Sequence, residues 1–218
     1  MMIVDSMSFE EIALVYEKAH KECLESVKKR INLNEMRRYL LKNKQLNNVF
    51  FKRKDIKIGE NVTYSVIPVC KNWNSFQKEG PRCKEYLSYI NSRGLHAVTR
   101  GGLWDDIYLF VTAHFLDRYR ERCLMNMALD KKDVLEDFVK HDSSLSAKLY
   151  PLPNKPNNRL YCTERGIVFI EEITPTYWIA NTFITKDMLY DSQQEVAASS
   201  EIDLKTLNLL SENFEYYM

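Results

Sequence analysis

One segment carries residues whose types suit acid–base and phosphate chemistry. It runs from His114 to Arg122 and directly follows an apolar stretch at residues 107–112. At 100° per residue, His114, Arg118 and Arg122 fall within an arc of roughly 80° on one helix face. The other side of the helix is mostly apolar, with Phe115, Leu116, Tyr119, Cys123 and Met127. The row of polar groups therefore borders the predicted buried face.

These three side chains suit the handling of a phosphodiester. A histidine near neutral pH can give or take a proton, and guanidinium groups bind phosphate oxygens and stabilise developing charge. RNA supplies its own nucleophile, the 2′-hydroxyl, so we expect no metal and no cofactor. The alternative is structural: Arg118 and Arg122 pair with carboxylates such as Asp117 and Glu121, while His114 serves the first helical turn. Both interpretations stay open at this point.

The pattern His-x-x-x-Arg-aromatic-x-x-Arg and the element order of residues 104–190 resemble a group of small α+β domains. These domains are similar to the barnase, EndoU, colicin and RelE superfamily of metal-independent ribonucleases. The resemblance implies a RelE-like fold and an endoribonuclease site. It covers less than half of the chain.

The closing strand at residues 180–185 resembles the polar-ended last strand of such domains. Period-two alternation places Asn181 and Thr185 on one face of it. The catalytic set that the resemblance implies is therefore His114, Arg118, Arg122, Asn181 and Thr185.

Two departures from the pattern favour a second hypothesis. The last two strands carry no second histidine, and no Arg or Lys lies within residues 177–185. An enzyme of this class would then lack its general acid. The alternative function is a non-catalytic interaction or regulatory module that uses the same fold.

The elements that would position these residues are predicted as an α+β arrangement. Ser8 and Glu11 form a capping box that begins a helix over residues 8–30. A second helix is expected over 34–46, with Met36, Leu40 and Leu41 facing inward, and a strand over 62–69. Residues 71–100 are weakly periodic, with turn signals at two places.

From residue 104 the pattern is clearer. A strand at 107–112 leads into a helix at 113–127, and Asp130 caps the next helix. Antiparallel strands are expected at about 145–150, 159–163, 167–173 and 177–185. Residues 163–166 are expected to form a hairpin turn, with Gly166 free to take a positive φ.

The chain divides, on this basis, into three regions. Residues 1–60 form a basic helical segment, and 61–191 form the α+β core domain. Residues 192–218 comprise a linker and an acidic amphipathic helix. Leu207, Leu210 and Phe214 on that helix could bind a protein partner or a second copy of the chain.

The net charge of +1 hides a strong asymmetry. Residues 28–57 contain eleven lysines and arginines against two acids, a net of +9, with Tyr39, Phe50 and Phe51 interleaved. A basic segment with aromatics is typical of a surface that binds RNA or DNA. The candidate binding residues are Arg37, Arg38, Lys42, Lys52, Arg53 and Lys54. The alternatives are a merely solvated helix, or pairing with residues 187–218, whose net charge is −6.

The remaining composition indicates the class of protein. The longest apolar run spans only residues 107–113, so we expect no membrane span. The first residues lack a basic secretory n-region. Five cysteines without a Cys-x-x-Cys spacing favour reduced, mostly buried thiols. We therefore expect a soluble cytoplasmic protein.

Overall fold

The computed structural model describes residues 2–100, 107–143, 149–152, 155–163, 165–185 and 188. The chain divides into two compact units, residues 1–100 and 101–218. Both combine helices with a sheet, so the α+β prediction is confirmed. The boundary expected near residue 60 falls inside the first unit, because the strand that follows it packs against the first helix. The predicted C-terminal helix and its linker, residues 192–218, lie outside the described residues.

The first unit has the order α1, α2, β1, β2, β3, α3, β4, β5. Their bounds are α1 (Phe9–Lys29), α2 (Leu33–Lys42), β1 (Val49–Phe50), β2 (Lys54–Lys57), β3 (Val62–Cys70), α3 (Trp73–Glu79), β4 (Arg82–Asn91) and β5 (Gly94–Arg100). All pairings are antiparallel: β1 and β2 lie along successive parts of β3, which pairs with β4, and β4 pairs with β5. The β4–β5 hairpin and α3 occupy the weakly periodic stretch of the sequence.

Helix α1 follows its sequence prediction closely. The Ser8 hydroxyl accepts from the Glu11 N–H at 3.2 Å, and the Glu11 carboxylate accepts from the Ser8 N–H at 2.7 Å. The apolar stripe of the helix is buried, with Ile12, Ala13, Tyr16, Ala19, Cys23 and Val27 as its members. The capping box thus sets where the helix begins, and the stripe holds the helix against the sheet.

A small apolar cluster holds α2. Met36 and Leu40, one turn apart, are buried together with Cys70 of β3. Phe51 and Trp73, both half-buried, pack against this cluster. Leu41 was expected inside but is 42% exposed, because it lies about 100° around the helix from Leu40.

The second unit contains the segment with the proposed chemistry. Its elements are β6 (Tyr108–Val111), α4 (Ala113–Tyr119), a π-helical segment (Arg120–Leu124), α5 (Lys131–His141), β7 (Leu149–Leu152), β8 (Lys155–Cys162), β9 (Ile167–Glu172) and β10 (Tyr177–Ile184). Strand β6 runs parallel to β10, whereas β10, β9, β8 and β7 form an antiparallel meander. The predicted strand, two helices and strand meander are therefore present.

Aromatic packing joins α4, α5 and β10. The rings of Phe115 and Phe138 lie 4.8 Å apart, and those of Tyr119 and Phe183 lie 5.1 Å apart. All four side chains are fully buried. This core fixes the position of α4 on β10.

Gly166 has a different role from the one expected. The hairpin turn forms, with the Thr163 N–H donating to the Gly166 carbonyl at 2.8 Å. Gly166 itself does not adopt a positive φ. A Cβ at this position would collide with the Phe183 ring and the Ile184 carbonyl, so glycine is required by close approach to β10.

Candidate functional site

The predicted row on α4 begins as expected. Thr112 caps the helix by accepting from the Phe115 N–H at 3.1 Å, and His114 is exposed in the first turn. Arg118 is half-buried, and its Nη1 pairs with the Glu121 carboxylate at 2.8 Å. This ion pair is the structural alternative anticipated for Arg118.

Arg122 lies in a π-helical segment that follows α4. The α-helix gives way at Arg120 to wider turns, so the spacing of 100° per residue does not extend to Arg122. The Arg122 Nη1 instead donates to the Phe183 carbonyl of β10 at 2.8 Å. Arg122 therefore joins the end of the helix to the sheet.

The other two members of the predicted set, Asn181 and Thr185, lie in β10 and just after it. The register of β10 against β9 shifts between Ala180 and Thr182, so the regular alternation expected for Asn181 is interrupted. The Asn181 Nδ2 donates to the Glu171 carboxylate at 2.9 Å, and Thr185 is half-buried just beyond the strand. Within the described residues, no hydrogen bond or ion pair joins any two members of the predicted catalytic set.

A buried polar network lies in the same unit and was not anticipated from the sequence. The Tyr119 hydroxyl lies 2.5 Å from an Asp142 carboxylate oxygen and 2.9 Å from an Asp137 oxygen. Arg165 bridges the same two carboxylates, with its Nη1 2.8 Å from Asp137 and its Nε 3.0 Å from Asp142. The Arg165 guanidinium also lies over the Tyr119 ring, 5.7 Å from its centroid.

The network gives the buried Asp142 carboxylate both a cation and a hydrogen-bond donor. Asp142 is only 1% exposed, so a cation and a donor on the same oxygen offset much of its desolvation. Burial, reinforced by the Asp142 carboxylate, raises the pKa of Tyr119 far above its usual value of 10. The hydroxyl therefore stays protonated and donates. The second Asp142 oxygen and the Arg165 Nη2 are buried with no hydrogen-bond partner among the described residues.

A second unanticipated cluster lies in the first unit. His20 is half-buried, and its Nδ1 lies 2.6 Å from the Glu85 carboxylate on β4. The Tyr64 hydroxyl donates to the same carboxylate oxygen, and the Tyr16 ring stacks on the His20 imidazole. Burial, with the hydrogen bond to Glu85, raises the pKa of Tyr64 well above 10. The cluster ties α1 to β3 and β4.

The basic candidates of the first unit lie largely on an open surface. Arg37, Arg38, Lys42 and Lys52 are exposed, whereas Lys54 is half-buried in β2. Arg53 is also half-buried, and its Nε pairs with Asp55 at 2.9 Å. Among residues 2–100, no ion pair is described for the four exposed members.

A shallow groove of about 430 Å³ runs along α2. Its lining residues are Asn32, Glu35, Arg38, Tyr39 and Lys42. The Arg38 Nε donates to the Asn34 carbonyl at 3.3 Å, which holds the guanidinium against the helix. Tyr39 is 46% exposed within this groove, and its ring meets the Phe51 ring at 81°, with the centroids 5.8 Å apart. The groove thus combines two cations, the Glu35 carboxylate and an exposed aromatic ring.

The described residues hold no group of three or more His, Cys, Asp or Glu side chains that could bind a metal ion. No helix in this part of the chain is both long and apolar enough to cross a membrane. All five cysteines are free, and Cys23, Cys70 and Cys162 are buried.

No family model matches the chain, and neither a curated protein nor a solved structure shows significant similarity to it.

Proposed function

We propose that this protein binds nucleic acid through the basic surface of α2 and the segment that follows it. We define the α2 basic surface as Arg37, Arg38, Lys42, Lys44 and Lys52, all of them exposed. The observation that carries the proposal is the exposure of these cations without an acidic partner among residues 2–100. Elsewhere in the described chain, basic side chains such as Arg118 and Arg165 are paired with carboxylates.

Unpaired cations on one surface suit a polyanion for a physical reason. Each phosphate that a Lys or Arg neutralises releases condensed counterions, so the affinity is supplied largely by the entropy of those ions. An exposed cation that already has a carboxylate partner would have to break that ion pair first. The cations of the α2 basic surface have no carboxylate partner among residues 2–100, so binding a phosphate there breaks no described ion pair.

The proposal is for binding, with cleavage as the less supported alternative. Arg118, Arg122 and Asn181 make contacts within the second unit, whereas no such contact is described for the exposed His114. We therefore favour a non-catalytic nucleic-acid-binding role over a RelE-like, metal-independent ribonuclease.

Fluorescence anisotropy with labelled oligonucleotides tests binding. We expect the affinity of the full chain to fall steeply between about 50 and 200 mM salt. The triple variant Arg37→Ala, Arg38→Ala, Lys42→Ala should bind more weakly and show a salt slope that is shallower by about 2 to 3.

The matched control removes the same charge elsewhere. Lys21, Lys78 and Lys132 are exposed and lie outside the α2 basic surface, so their combined change to alanine should leave the salt slope nearly intact. An equal loss in both triple variants would show that only net charge matters, and would contradict a binding surface on α2.

A separate assay addresses cleavage. RNA incubated with the wild-type chain in EDTA should survive as well as RNA incubated without protein, and His114→Ala should behave identically. Loss of RNA that depends on His114 would overturn the non-catalytic assignment and favour the ribonuclease.

A further inference from the structure

The α2 groove contains one feature that charge alone does not explain, namely the exposed ring of Tyr39. We infer that the groove selects single-stranded nucleic acid by stacking a base on Tyr39 while Arg38 and Lys42 hold the flanking phosphates. The inference rests on the proposed function, and it adds the class of nucleic acid and the residue that selects it.

The Tyr39 ring packs against Phe51, which is itself held by the interior of the first unit. Phe51 packs on the buried cluster of Met36, Leu40 and Cys70, and its N–H donates to the Pro68 carbonyl at 2.9 Å. Because Phe51 is held in this way, its edge-to-face contact restricts the position of the exposed Tyr39 ring. Whichever ring supplies the edge, at least one face of Tyr39 lies outside this contact, and the residue is 46% exposed.

Such an anchored ring is well suited to stacking. A base that stacks on a mobile side chain must also order that side chain, which weakens binding. Contact with Phe51 has already restricted Tyr39. Arg38 and Lys42 line the same groove as the ring, so two cations lie near it on the helix.

This arrangement distinguishes single strands from duplexes. In a duplex the bases already stack on their neighbours, so a protein ring gains a base face only where the strand is open. The cations bind phosphates of either form. Tyr39 should therefore contribute to single-strand affinity and contribute little to duplex affinity.

The test compares a labelled single strand of about 12 nucleotides with the duplex of the same sequence, by anisotropy at one salt concentration. Tyr39→Leu keeps an apolar side chain and removes the π face, and it should weaken single-strand binding by about 5- to 100-fold. Tyr39→Phe should bind like the wild type. The control Leu41→Ala alters another exposed apolar side chain of α2, 42% exposed against 46% for Tyr39, and should leave both affinities unchanged.

A second measurement does not depend on the stability of the variants. A 2-aminopurine base in the strand should change its fluorescence on binding the wild-type chain, because its stacking partner changes. This signal should persist with Leu41→Ala and Tyr39→Phe. If it is absent with a wild-type chain that binds the strand, no base stacks in the groove and the inference is overturned.

The outcomes separate the two proposals. If the wild type binds neither form in a salt-dependent way, the proposed function itself fails. If the wild type binds both forms and Tyr39→Leu reduces both equally or neither, only the role of Tyr39 in selecting single strands is contradicted.

Discussion

Replacing Tyr119 by phenylalanine removes the hydroxyl that contacts two carboxylates in the second unit. That hydroxyl lies 2.5 Å from an oxygen of Asp142, a residue that is 1% exposed. The variant keeps the ring, so its packing against Phe138 and Phe183 is retained. A hydrogen bond to a charged group contributes about 1.5 to 3 kcal/mol. We expect the free energy of unfolding to fall by about 2 kcal/mol.

Urea unfolding followed by circular dichroism measures this loss. The midpoint should decrease while the denaturant slope stays constant, because the surface exposed on unfolding is nearly the same. Tyr177→Phe is the matched control: Tyr177 is half-buried in β10, the strand that carries Phe183, and no hydrogen bond of its hydroxyl is described. It should change stability by less than about 0.5 kcal/mol. Equal losses in Tyr119→Phe and Tyr177→Phe would refute the assigned role of the hydroxyl.

A double-mutant cycle identifies the partner. Tyr119→Phe should cost less when Asp142 is already alanine, with a coupling of about 1 kcal/mol or more. Strict additivity would mean that the Tyr119 hydroxyl stabilises the fold through some group other than Asp142.

Three further predictions concern other parts of the chain. Gly166→Ala should lower the free energy of unfolding by about 1 to 3 kcal/mol, because the added methyl group meets the ring of Phe183; thermal unfolding measures this, and an unchanged midpoint would contradict it. Arg122→Gln should speed amide hydrogen exchange in residues 120–124, because it removes the guanidinium bound to the Phe183 carbonyl; exchange at the wild-type rate would show that this bond does not hold the segment. Burial raises the pKa of Cys70 and of Cys83 from 9.0 to about 11, so the folded chain keeps these protons longer than the unfolded chain. The contribution of these two thiols to stability should be constant below pH 9 and decrease as pH rises from 9 to 11; stability that increases across this range in urea titrations would contradict the sign.

The sequence predicted correctly those helix and strand boundaries that are set by residues close together in the chain. The Ser8–Glu11 capping box placed the start of α1 correctly, because both partners lie within one turn. The β4–β5 hairpin was not predicted, since the first half of β4 includes Lys84 and Glu85. Glu85 is tolerated there because His20 and Tyr64, from two other elements, hydrogen-bond to it. No local periodicity reveals such partners.

The contacts of the candidate catalytic row, likewise, could not be predicted from local sequence patterns. A helical wheel drawn from His114 assumes one helix type throughout, whereas the chain changes to a π-helix at Arg120. The cation at Arg122 is then bound by a carbonyl of Phe183, which lies far along the sequence. The basic surface of α2, by contrast, could be predicted, because exposed cations on a short helix need no distant partner.

The parallel pairing of β6 with β10 has a consequence for the order in which the second unit can be assembled during synthesis. Tyr108 pairs with Tyr177, so the intervening helices and strands, α4 to β9, must all leave the ribosome before the two strands can meet. Until then the apolar side of α4, including Tyr119, lacks the Phe183 ring on which it packs. Contacts between distant segments form slowly and leave apolar surface exposed in the meantime. Nascent chains that end before β10 are therefore the forms of this protein most prone to aggregate or to require a chaperone.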